Sequence, residues 1–362
     1  MLIDLIAGAR PNFMKIAPII QAILKLKDPG INYRLIHTGQ HYDKNMSETF
    51  FEQLDIPQPD VRLGSVGNST AEQTASIMVK YEKLLLEKKS DLCLVVGDVT
   101  STMACSIVAQ KMQINVAHVE AGIRSGDWSM PEEINRLITD SITNLFFTTT
   151  VQASQNLISS GVPKSKIYFV GNTMIDTLLK NKPRFRKPLF WEKYNLNKDK
   201  FLVLTLHRPS NVDNIASLKL IIESVIDSAQ DTKIIFPIHP RTLKNFEKLS
   251  LSHSNLIIVE PLGYLEFNFL VENAVCVITD SGGITEETTF LGIPCLTLRD
   301  NTERPETVEI GTNELVGSNP KMIKKAMQKL YSGNWKKGQI PEYWDGLTSD
   351  RIIKHIIEFY NK

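Results

Sequence analysis

The feature that most constrains the fold is the alternation of short apolar runs with longer segments of helical period. In the first half of the chain the short runs are rich in apolar and β-branched side chains: 2–7, 33–37, 92–96, 115–119, 145–148 and 167–170. Between them lie segments with the spacing of helices: 15–26, 71–87, 102–111 and 132–143. Short runs that are apolar throughout are typical of strands buried on both faces of a parallel sheet. The first half therefore predicts a doubly wound α/β domain.

The same alternation restarts after a break. Residues 180–200 are rich in Lys, Arg, Pro and Asn and lack a clear apolar period, which predicts a linker. Further strands are predicted beyond it: 201–206, 233–237, 256–259, 276–279 and 295–298. Further helices are predicted at 218–229, 264–273 and 286–291. Isoleucines at helical spacing close the chain: Ile352, Ile353, Ile356 and Ile357.

A chain of 362 residues is long for one core and natural for two domains. We predict an N-terminal Rossmann-like domain over residues 1–179, a linker over 180–200 and a C-terminal Rossmann-like domain over 201–345. Residues 346–362 are predicted to form a helix that packs back on the N-terminal domain. Parallel sheets bind ligands beyond the carboxyl ends of their strands, so two such domains imply a cleft with the ligand in it.

Composition limits the partners. Hydrophobic residues at 42% and charged residues at 22% are values of a globular protein. A net charge of +1 gives no reason to expect nucleic acid or a membrane surface as a partner. The N-terminal run is too short for a signal sequence, and no apolar run reaches about 18 residues, so we expect a cytoplasmic protein. The 4 scattered cysteines are expected to be reduced and buried.

Two carboxylates follow consecutive predicted strands in the first half. Asp98 comes after the run ending VVG, and Glu120 after the run ending HV. Two carboxylates in one cleft raise at least one pKa, which provides a proton acceptor and a proton donor at neutral pH. The structural alternatives are that Asp98 caps the next helix and that Glu120 pairs with Arg124. Glu132 stands in the first turn of a predicted helix, where acids are common because of the helix dipole.

Cations and a glycine turn suggest an anionic ligand. Arg10 and Lys15 follow the first strand, and His207 follows the first strand of the second half. The loop DSGGITEE then places Ser281, Gly282 and Gly283 before a helix, where backbone N–H groups and the helix dipole favour a diphosphate. In the same half, Glu287 is a candidate ligand of ribose hydroxyls. Arg299 and Arg304 follow the last predicted strand. The alternatives are solvated cations and an ordinary acidic turn.

Several motifs are absent from the sequence. No G-x-G-x-x-G follows the first strand, which disfavours a nicotinamide cofactor. There is also no phosphate-binding G-x-x-x-x-G-K-[ST], no H-E-x-x-H, no Cys/His spacing for zinc and no G-x-S-x-G. The sequence therefore predicts neither a metal site nor a cofactor.

With these residues in place, the chain resembles the bacterial non-hydrolysing UDP-N-acetylglucosamine 2-epimerases along nearly its whole length. The segments that carry the resemblance run from Gly8 to Gly317: GARPNFMKIAP, TGQHYDKNMS, VVGDVTST, HVEAGIRS, MPEEINR, VGNTMID, LHRPSN, HPRT, EPLGYLEF, TDSGGITEE and LRDNTERPETVEIGTNELVG. The resemblance implies a GT-B-like fold, which is α/β with two Rossmann-like doubly wound domains facing across a cleft. It also implies a UDP-sugar substrate, a homodimer, and no metal or nicotinamide cofactor.

The resemblance also assigns residues. It implies an active-site set of Arg10, Lys15, Asp98, Glu120, Glu132 and His207. It implies diphosphate ligands at Arg10, His207, Ser281 and Gly282, with Glu287 on the ribose and Phe267 beside the uracil. Glu132, weak by its local sequence, thereby becomes a candidate for proton transfer. Which carboxylate acts as base and which as acid stays open.

The activity implied is inversion of C2 in UDP-N-acetylglucosamine, by elimination of UDP to a glycal and re-addition, in the synthesis of capsule, O-antigen or sialic-acid-type precursors. One alternative is the same chemistry on a modified sugar such as UDP-2,3-diacetamido-2,3-dideoxyglucuronate, whose carboxylate needs a further cation such as Arg124 or Arg304. The others are a GT-B glycosyltransferase and a non-catalytic nucleotide-sugar sensor. TGQHYDKNMS lacks the Gln/Arg pattern of members regulated by a second UDP-GlcNAc, which argues against that allosteric site.

Overall fold

The computed structural model describes residues 1–39 and 51–361. It divides into two compact units, residues 1–180 together with 342–362, and residues 181–341. Most of the segment TGQHYDKNMS, on which the expectation about allostery depends, lies outside the described residues.

The N-terminal unit is built on a parallel sheet. Its strands are β1 (Leu2–Ala7), β2 (Asn32–His37), β3 (Val61–Arg62), β4 (Leu92–Val96), β5 (Asn115–Val119), β6 (Leu145–Thr148) and β7 (Ile167–Phe169). Their order is β3-β2-β1-β4-β5-β6-β7, and each pair is parallel. The strand order therefore reverses between β1 and β4, which is the doubly wound arrangement predicted from the sequence.

Helices connect these strands: Arg10–Leu26, Thr70–Glu87, Thr100–Lys111, Pro131–Ser141, Val151–Ser159 and Thr173–Asn181. The first begins at residue 10 rather than at the predicted residue 15. Pro11 suits a first helical turn, and the Asn12 Oδ1 accepts hydrogen bonds from the backbone N–H groups of Gly8 and Ala9 at 3.0 and 2.9 Å. A search for apolar spacing misses this polar first turn.

The last segment of the chain belongs to the N-terminal unit. The helix Thr348–Tyr360 packs on the helix Arg10–Leu26, and Lys25 and Asp350 form an ion pair between them at 2.9 Å. The buried Asp176 carboxylate accepts from the backbone N–H groups of Thr348 and Ser349 at 3.2 and 2.7 Å. These bonds satisfy the first turn of the last helix, where backbone donors have no partner within the helix.

The C-terminal unit repeats the architecture. Its strands are β8 (Phe201–Thr205), β9 (Lys233–Pro237), β10 (Leu256–Val259), β11 (Cys276–Thr279), β12 (Cys295–Thr297) and β13 (Asn313–Leu315). Their order is β10-β9-β8-β11-β12-β13, again parallel throughout, with the reversal between β8 and β11. The helices of this unit are Pro209–Val212, Ile215–Ser228, Pro240–Phe246, Tyr264–Asn273, Gly282–Leu291, Pro305–Glu309 and Pro320–Tyr331.

The stretch predicted as a linker carries part of the C-terminal core. Trp191 and Leu196 are buried with Phe201, and the Trp191 ring meets those of Phe201 and Phe269 edge-on at centroid distances of 5.6 and 5.2 Å. Because lysine and proline surround these apolar residues, the composition of the stretch did not predict their burial. Within this stretch, residues 182–187 and 197–200 have the mostly exposed, polar character of a linker.

All four cysteines, Cys93, Cys105, Cys276 and Cys295, are buried free thiols, as expected. Burial raises the pKa of the Cys295 thiol to about 12. In the described part of the chain, no helix combines the length and apolar character needed to cross a membrane.

Candidate active site

The candidate residues of the N-terminal unit collect where its strand order reverses. The helix that carries Arg10 and Lys15 follows β1, Gly97 and Asp98 follow β4, and Glu120 follows β5. β4 and β5 are neighbours in parallel register, so their carboxyl ends lie side by side, as the sequence predicted. The reversal of strand order opens a crevice at this edge of the sheet, which is the usual ligand site of such folds.

Lys15 and Glu120 form a buried ion pair. The Lys15 Nζ lies 2.7 Å from the Glu120 Oε2, and the two residues are 8% and 3% exposed. Gly97 makes room for the pair: its φ is +67°, and a Cβ there would lie 3.1 Å from the Lys15 Nζ. Asn12 also supports this loop, because its amide nitrogen donates to the Val96 carbonyl at 3.1 Å. Sequence reasoning did not identify the role of Asn12.

The backbone at Glu120 is strained. Its φ is +70°, in the left-handed region. That conformation costs a residue with a Cβ about 1–2 kcal/mol relative to glycine. Strained residues of this kind cluster at functional sites, where the surrounding structure holds them. The presence of a glutamate at a position suited to glycine favours a chemical role for its carboxylate.

Asp98 belongs to a second cluster of charges. Its Oδ2 lies 2.5 Å from the Arg136 Nη2, and Arg136 also pairs with Glu133 at 2.8 Å. The Asn135 amide donates to the Asp98 carbonyl at 2.9 Å. The Asp98 side chain remains 29% exposed, whereas those of Arg136 and Glu133 are 3% exposed. One edge of the Asp98 carboxylate is therefore held while the side chain keeps access to solvent.

The adjacent acids of MPEEINR have different surroundings. Glu133 is buried and accepts from the Ser125 N–H and hydroxyl and from the Gly126 N–H at 2.9–3.2 Å. Burial alone would raise the pKa of Glu133, but these bonds and the Arg136 guanidinium lower it overall. Glu132 is half-buried in the first helical turn. Glu133 therefore has a structural role, and Glu132 stays a prediction for proton transfer.

Both structural alternatives considered for the two strand-end carboxylates are wrong. The N-cap of the helix Thr100–Lys111 is Val99, so Asp98 does not cap it. Arg124 pairs with Asp140 at 2.7 Å, whereas Glu120 pairs with Lys15. The tertiary partners come from other elements, which the local sequence does not specify.

A buried histidine lies beneath this site. His118, on β5, is fully buried. Its Nδ1 lies 2.7 Å from the Asp140 Oδ1, and its Nε2 lies 2.8 Å from the Gly97 carbonyl oxygen. The other Asp140 oxygen accepts from the Gly122 N–H at 3.1 Å and pairs with Arg124. Sequence reasoning missed this pair, although a histidine inside an apolar strand is a signal that it needs a polar partner.

In the C-terminal unit, the strand order reverses between β8 and β11. His207 follows β8 and Asp280 follows β11. The fully buried Asp280 accepts from the backbone N–H groups of His207 and Arg208 at 2.9–3.1 Å and from the Asn211 amide at 3.1 Å. Its Oδ1 also lies 2.8 Å from the His207 Nδ1. Burial opposes ionisation, but these donors lower the pKa of Asp280 overall. A carboxylate at Nδ1 orients the imidazole and leaves Nε2 for a ligand.

The Ser-Gly-Gly turn opens a helix earlier than predicted. The helix Gly282–Leu291 has Ser281 at its N-cap, so the N–H groups of Gly282 and Gly283 lie in its first turn. First-turn N–H groups have no acceptor within the helix and favour anions. Arg299 stands beside this turn, with its Nη1 3.8 Å from the position of a Cβ on Gly282.

Arginines surround the same helix start. Arg299 pairs with Glu303 at 2.5 Å, Arg208 lies 3.5 Å from Glu303, and Arg304 pairs with Glu286 at 2.6 Å. Burial and the neighbouring arginines lower the pKa of Arg299, although Glu303 opposes this. Despite its burial, Glu303 has a pKa lowered to about 2 by Arg299 and Arg304. Three guanidinium groups and a helix start suit a diphosphate.

The predicted base and ribose ligands lie on adjoining helices. Phe267 is half-buried against the core of the C-terminal unit. Glu287 is buried, with its Oε1 3.5 Å from the Asn268 amide nitrogen. Burial, and then the Glu287 carboxylate, raise the pKa of Tyr264. The roles of Phe267 and Glu287 toward a ligand stay predictions.

Two further arginines lie at the surface. Arg10 is exposed at the first position of its helix. Arg241 forms a bidentate pair with Asp213, at 3.0 and 2.6 Å. Within residues 1–39 and 51–361, no group of three or more His, Cys, Asp or Glu side chains is arranged to hold a metal ion.

A buried carboxylate–ammonium pair at one sheet reversal and an arginine-lined helix start at the other suit the binding of small anionic ligands by an enzyme. Comparison with known proteins is specific. The family model described as UDP-N-acetylglucosamine 2-epimerase matches residues 25–357. The chain belongs to the UDP-N-acetylglucosamine 2-epimerase family, whose members are isomerases.

Two relatives and one solved structure illustrate the match. The UDP-N-acetylglucosamine 2-epimerase of Methanocaldococcus jannaschii is 43% identical over 98% of each chain. The UDP-2,3-diacetamido-2,3-dideoxy-D-glucuronate 2-epimerase of Pseudomonas aeruginosa is 38% identical over 97% of this chain and 98% of its own. The crystal structure of the M. jannaschii enzyme with UDP-GlcNAc and UDP superposes with a TM-score of 0.88 at 42% identity, covering 99% of this chain and 100% of that one. The predicted GT-B-like fold class is confirmed.

Proposed function

We propose that this enzyme inverts C2 of UDP-N-acetylglucosamine to give UDP-N-acetylmannosamine without net hydrolysis. A base removes the C2 proton as the bond from C1 to the UDP oxygen breaks, which leaves a C1=C2 glycal and UDP. UDP then adds back at C1 while a proton reaches C2 from the other face. The chemistry needs a base and an acid near C2 and an anchor for the departing UDP.

The observation that carries this proposal is the Lys15–Glu120 pair. A carboxylate held at 2.7 Å from a buried ammonium, on a residue with a strained backbone, is fixed in position where the strand order reverses. We assign proton transfer to Asp98, Glu120 and Glu132. Lys15 holds the Glu120 carboxylate in place at 2.7 Å, and Arg136 holds that of Asp98 at 2.5 Å.

The anchor for UDP is assigned to the C-terminal unit. The N–H groups of Gly282 and Gly283 and the hydroxyl of Ser281 bind the diphosphate, and His207 donates to it from the Nε2 that Asp280 leaves free to point outward. Arg304 adds positive charge at the helix start, and Arg10 stays the diphosphate ligand that the family resemblance implies. Neutralising the charge that develops on departing UDP lowers the barrier to elimination. Glu287 is assigned to the ribose and Phe267 to the uracil.

A modified UDP-sugar is the second candidate substrate, because the P. aeruginosa relative is named for one. A uronate needs an additional cation. Of the two arginines considered for that role, Arg124 already pairs with Asp140 at 2.7 Å, and Arg304 is assigned to the diphosphate. This commitment favours UDP-N-acetylglucosamine, as does the higher identity to relatives named for it.

The test is incubation of the enzyme with UDP-GlcNAc in D2O, without acceptor or added cofactor, followed by NMR. We expect deuterium at C2 and a mixture of UDP-GlcNAc and UDP-ManNAc. Free ManNAc with UDP would indicate a hydrolysing enzyme. No exchange with tight UDP binding would favour a sensor, and sugar transfer to an added acceptor would favour a glycosyltransferase. Repeating the reaction with the diacetamido-glucuronate substrate separates the two sugars by kcat/KM.

We further propose that the protein is a cytoplasmic homodimer that supplies capsule, O-antigen or sialic-acid-type precursors. The family resemblance supports the dimer, and light scattering of the purified protein measures it directly. A monomeric mass at working concentration would reject the dimer.

A further inference from the structure

We propose that His118 and Asp140 form a buried positioning pair that sets the spacing of the proton-transfer carboxylates. The inference rests on the proposed function, since it assumes that Asp98, Glu120 and Glu132 transfer protons. Neither His118 nor Asp140 is assigned contact with substrate. They act through the backbone of the loops that carry the carboxylates.

The two ring nitrogens of His118 both face acceptors. Nδ1 faces the Asp140 carboxylate at 2.7 Å and Nε2 faces the Gly97 carbonyl at 2.8 Å. A backbone carbonyl oxygen only accepts hydrogen bonds, so Nε2 donates to Gly97 while Nδ1 faces the carboxylate. Asp140 also pairs with Arg124 at 2.7 Å. Burial would raise the pKa of Asp140, yet these two partners lower it.

The pair joins the loop after β4 to β5. The Gly97 N–H donates to the Val119 carbonyl at 3.0 Å, while the Gly97 carbonyl accepts from His118 at 2.8 Å. Both backbone groups of Gly97 are therefore held by β5. Asp98 is the next residue, so its position relative to Glu120, which follows β5, depends on these two bonds.

The pair also holds the other two carboxylates. Asp140 accepts from the Gly122 N–H at 3.1 Å, two residues after Glu120. This bond supports the turn that keeps Glu120 in its left-handed conformation. Asp140 itself stands in the last turn of the helix Pro131–Ser141, which carries Glu132 in its first turn. One carboxylate thus links three elements that each present a predicted proton-transfer group.

Stability alone does not account for a buried charged pair. Well-packed apolar residues in place of a buried ion pair are often neutral or stabilising. What apolar residues do not supply is directional bonding to a chosen carbonyl and a chosen N–H group. Proton transfer requires such control, since a misplacement of about 1 Å can reduce a rate by about 100-fold.

The test separates the two histidine bonds. The side-chain nitrogen of asparagine occupies the place of Nδ1, and that of glutamine the place of Nε2. His118→Asn therefore keeps the bond to Asp140 and loses that to Gly97, whereas His118→Gln keeps the bond to Gly97. We expect kcat for C2 exchange to fall about 100-fold in His118→Asn and about 10-fold in His118→Gln. KM and the Kd for UDP stay within about twofold of wild type.

The matched control is Tyr81→Phe, which also removes a buried hydrogen bond in the N-terminal unit, the one to Asp4 at 2.9 Å. This change does not affect the bonds that hold Asp98, Glu120 or Glu132. Its thermal midpoint falls but kcat per folded molecule stays unchanged. Asp140→Asn, which keeps the shape and removes the charge, provides a second variant if His118→Asn fails to fold.

The outcomes are distinct. Absence of exchange in the wild-type enzyme rejects the proposed function and this inference with it. Exchange in the wild type with kcat unchanged in the folded His118 and Asp140 variants overturns the positioning role alone. A loss of kcat matched by an equal loss in Tyr81→Phe also overturns it, since the effect is then general destabilisation.

Discussion

The Lys15–Glu120 pair allows the stability of the site to be separated from its chemistry. Its atoms lie 2.7 Å apart and its residues are 8% and 3% exposed. Removing one member of a buried ion pair typically costs about 3–5 kcal/mol, whereas replacing both is often close to neutral. We therefore expect Lys15→Met and Glu120→Gln each to lower the free energy of unfolding of the N-terminal unit by about 3 kcal/mol. The double variant should lie within about 1 kcal/mol of wild type, yet all three should lack C2 exchange.

The assay must report on the N-terminal unit, because a chain with two compact units need not unfold in one step. Amide hydrogen exchange of peptides from β4 and β5, read by mass spectrometry, gives its opening free energy. The exposed pair Lys25–Asp350, with side chains 73% and 41% exposed, is the control. The coupling free energy between Lys25 and Asp350, obtained from the two single variants and the double variant, should not exceed about 0.5 kcal/mol. A double variant as unstable as the sum of the two single changes would refute the reasoning.

Three further predictions address other residues. Glu132→Gln should keep UDP affinity within about twofold, measured by calorimetry, and abolish C2 exchange, measured by NMR; a fully active variant would contradict this. Glu133→Gln should instead lower the free energy of unfolding by about 2 kcal/mol, because it weakens a buried acceptor. Calorimetric unfolding measures that loss. The pKa of Glu303 is about 2 in the folded protein against an ordinary 4.5. The ionised Glu303 should therefore stabilise the folded state by about 3 kcal/mol relative to Glu303→Gln above pH 4.5. This difference should vanish as the pH falls to about 2. Hydrogen exchange across that range measures it, and a constant difference would refute it. Arg299→Gln should weaken UDP binding at least about 10-fold, while Arg241→Gln at the surface should not change the calorimetric Kd.

Much of the architecture was predictable because parallel strands buried on both faces leave a clear apolar signature. Strands β4 and β5 were located to the residue, and their neighbouring ends predicted that Asp98 and Glu120 would lie at one edge. The start of the helix at Gly282 was predicted less well, since glycine weakens the helical signal where a ligand-binding turn requires it. Short elements such as β3 and β13 were missed for lack of length.

The partners within the site were less predictable. Lys15 and Glu120 are far apart in the chain, and so are Asp98 and Arg136; their pairing depends on which strands become neighbours. Local reasoning instead offered Arg124, which stands four residues from Glu120 but pairs with another acid. The family resemblance supplied candidates such as Glu132 without supplying contacts. Side-chain pairing therefore needed the tertiary structure.

The position of the last helix affects the order in which the chain folds during synthesis. Residues 342–362 complete a unit that begins at residue 1. While the ribosome is still translating, the apolar surface that receives Ile352, Ile353 and Ile356 is uncovered and Asp176 lacks its two backbone donors. The unit of residues 181–341 is contiguous and does not have to wait in this way. We expect residues 181–341 to fold first, and the N-terminal unit to finish folding only after residues 342–362 have left the ribosome.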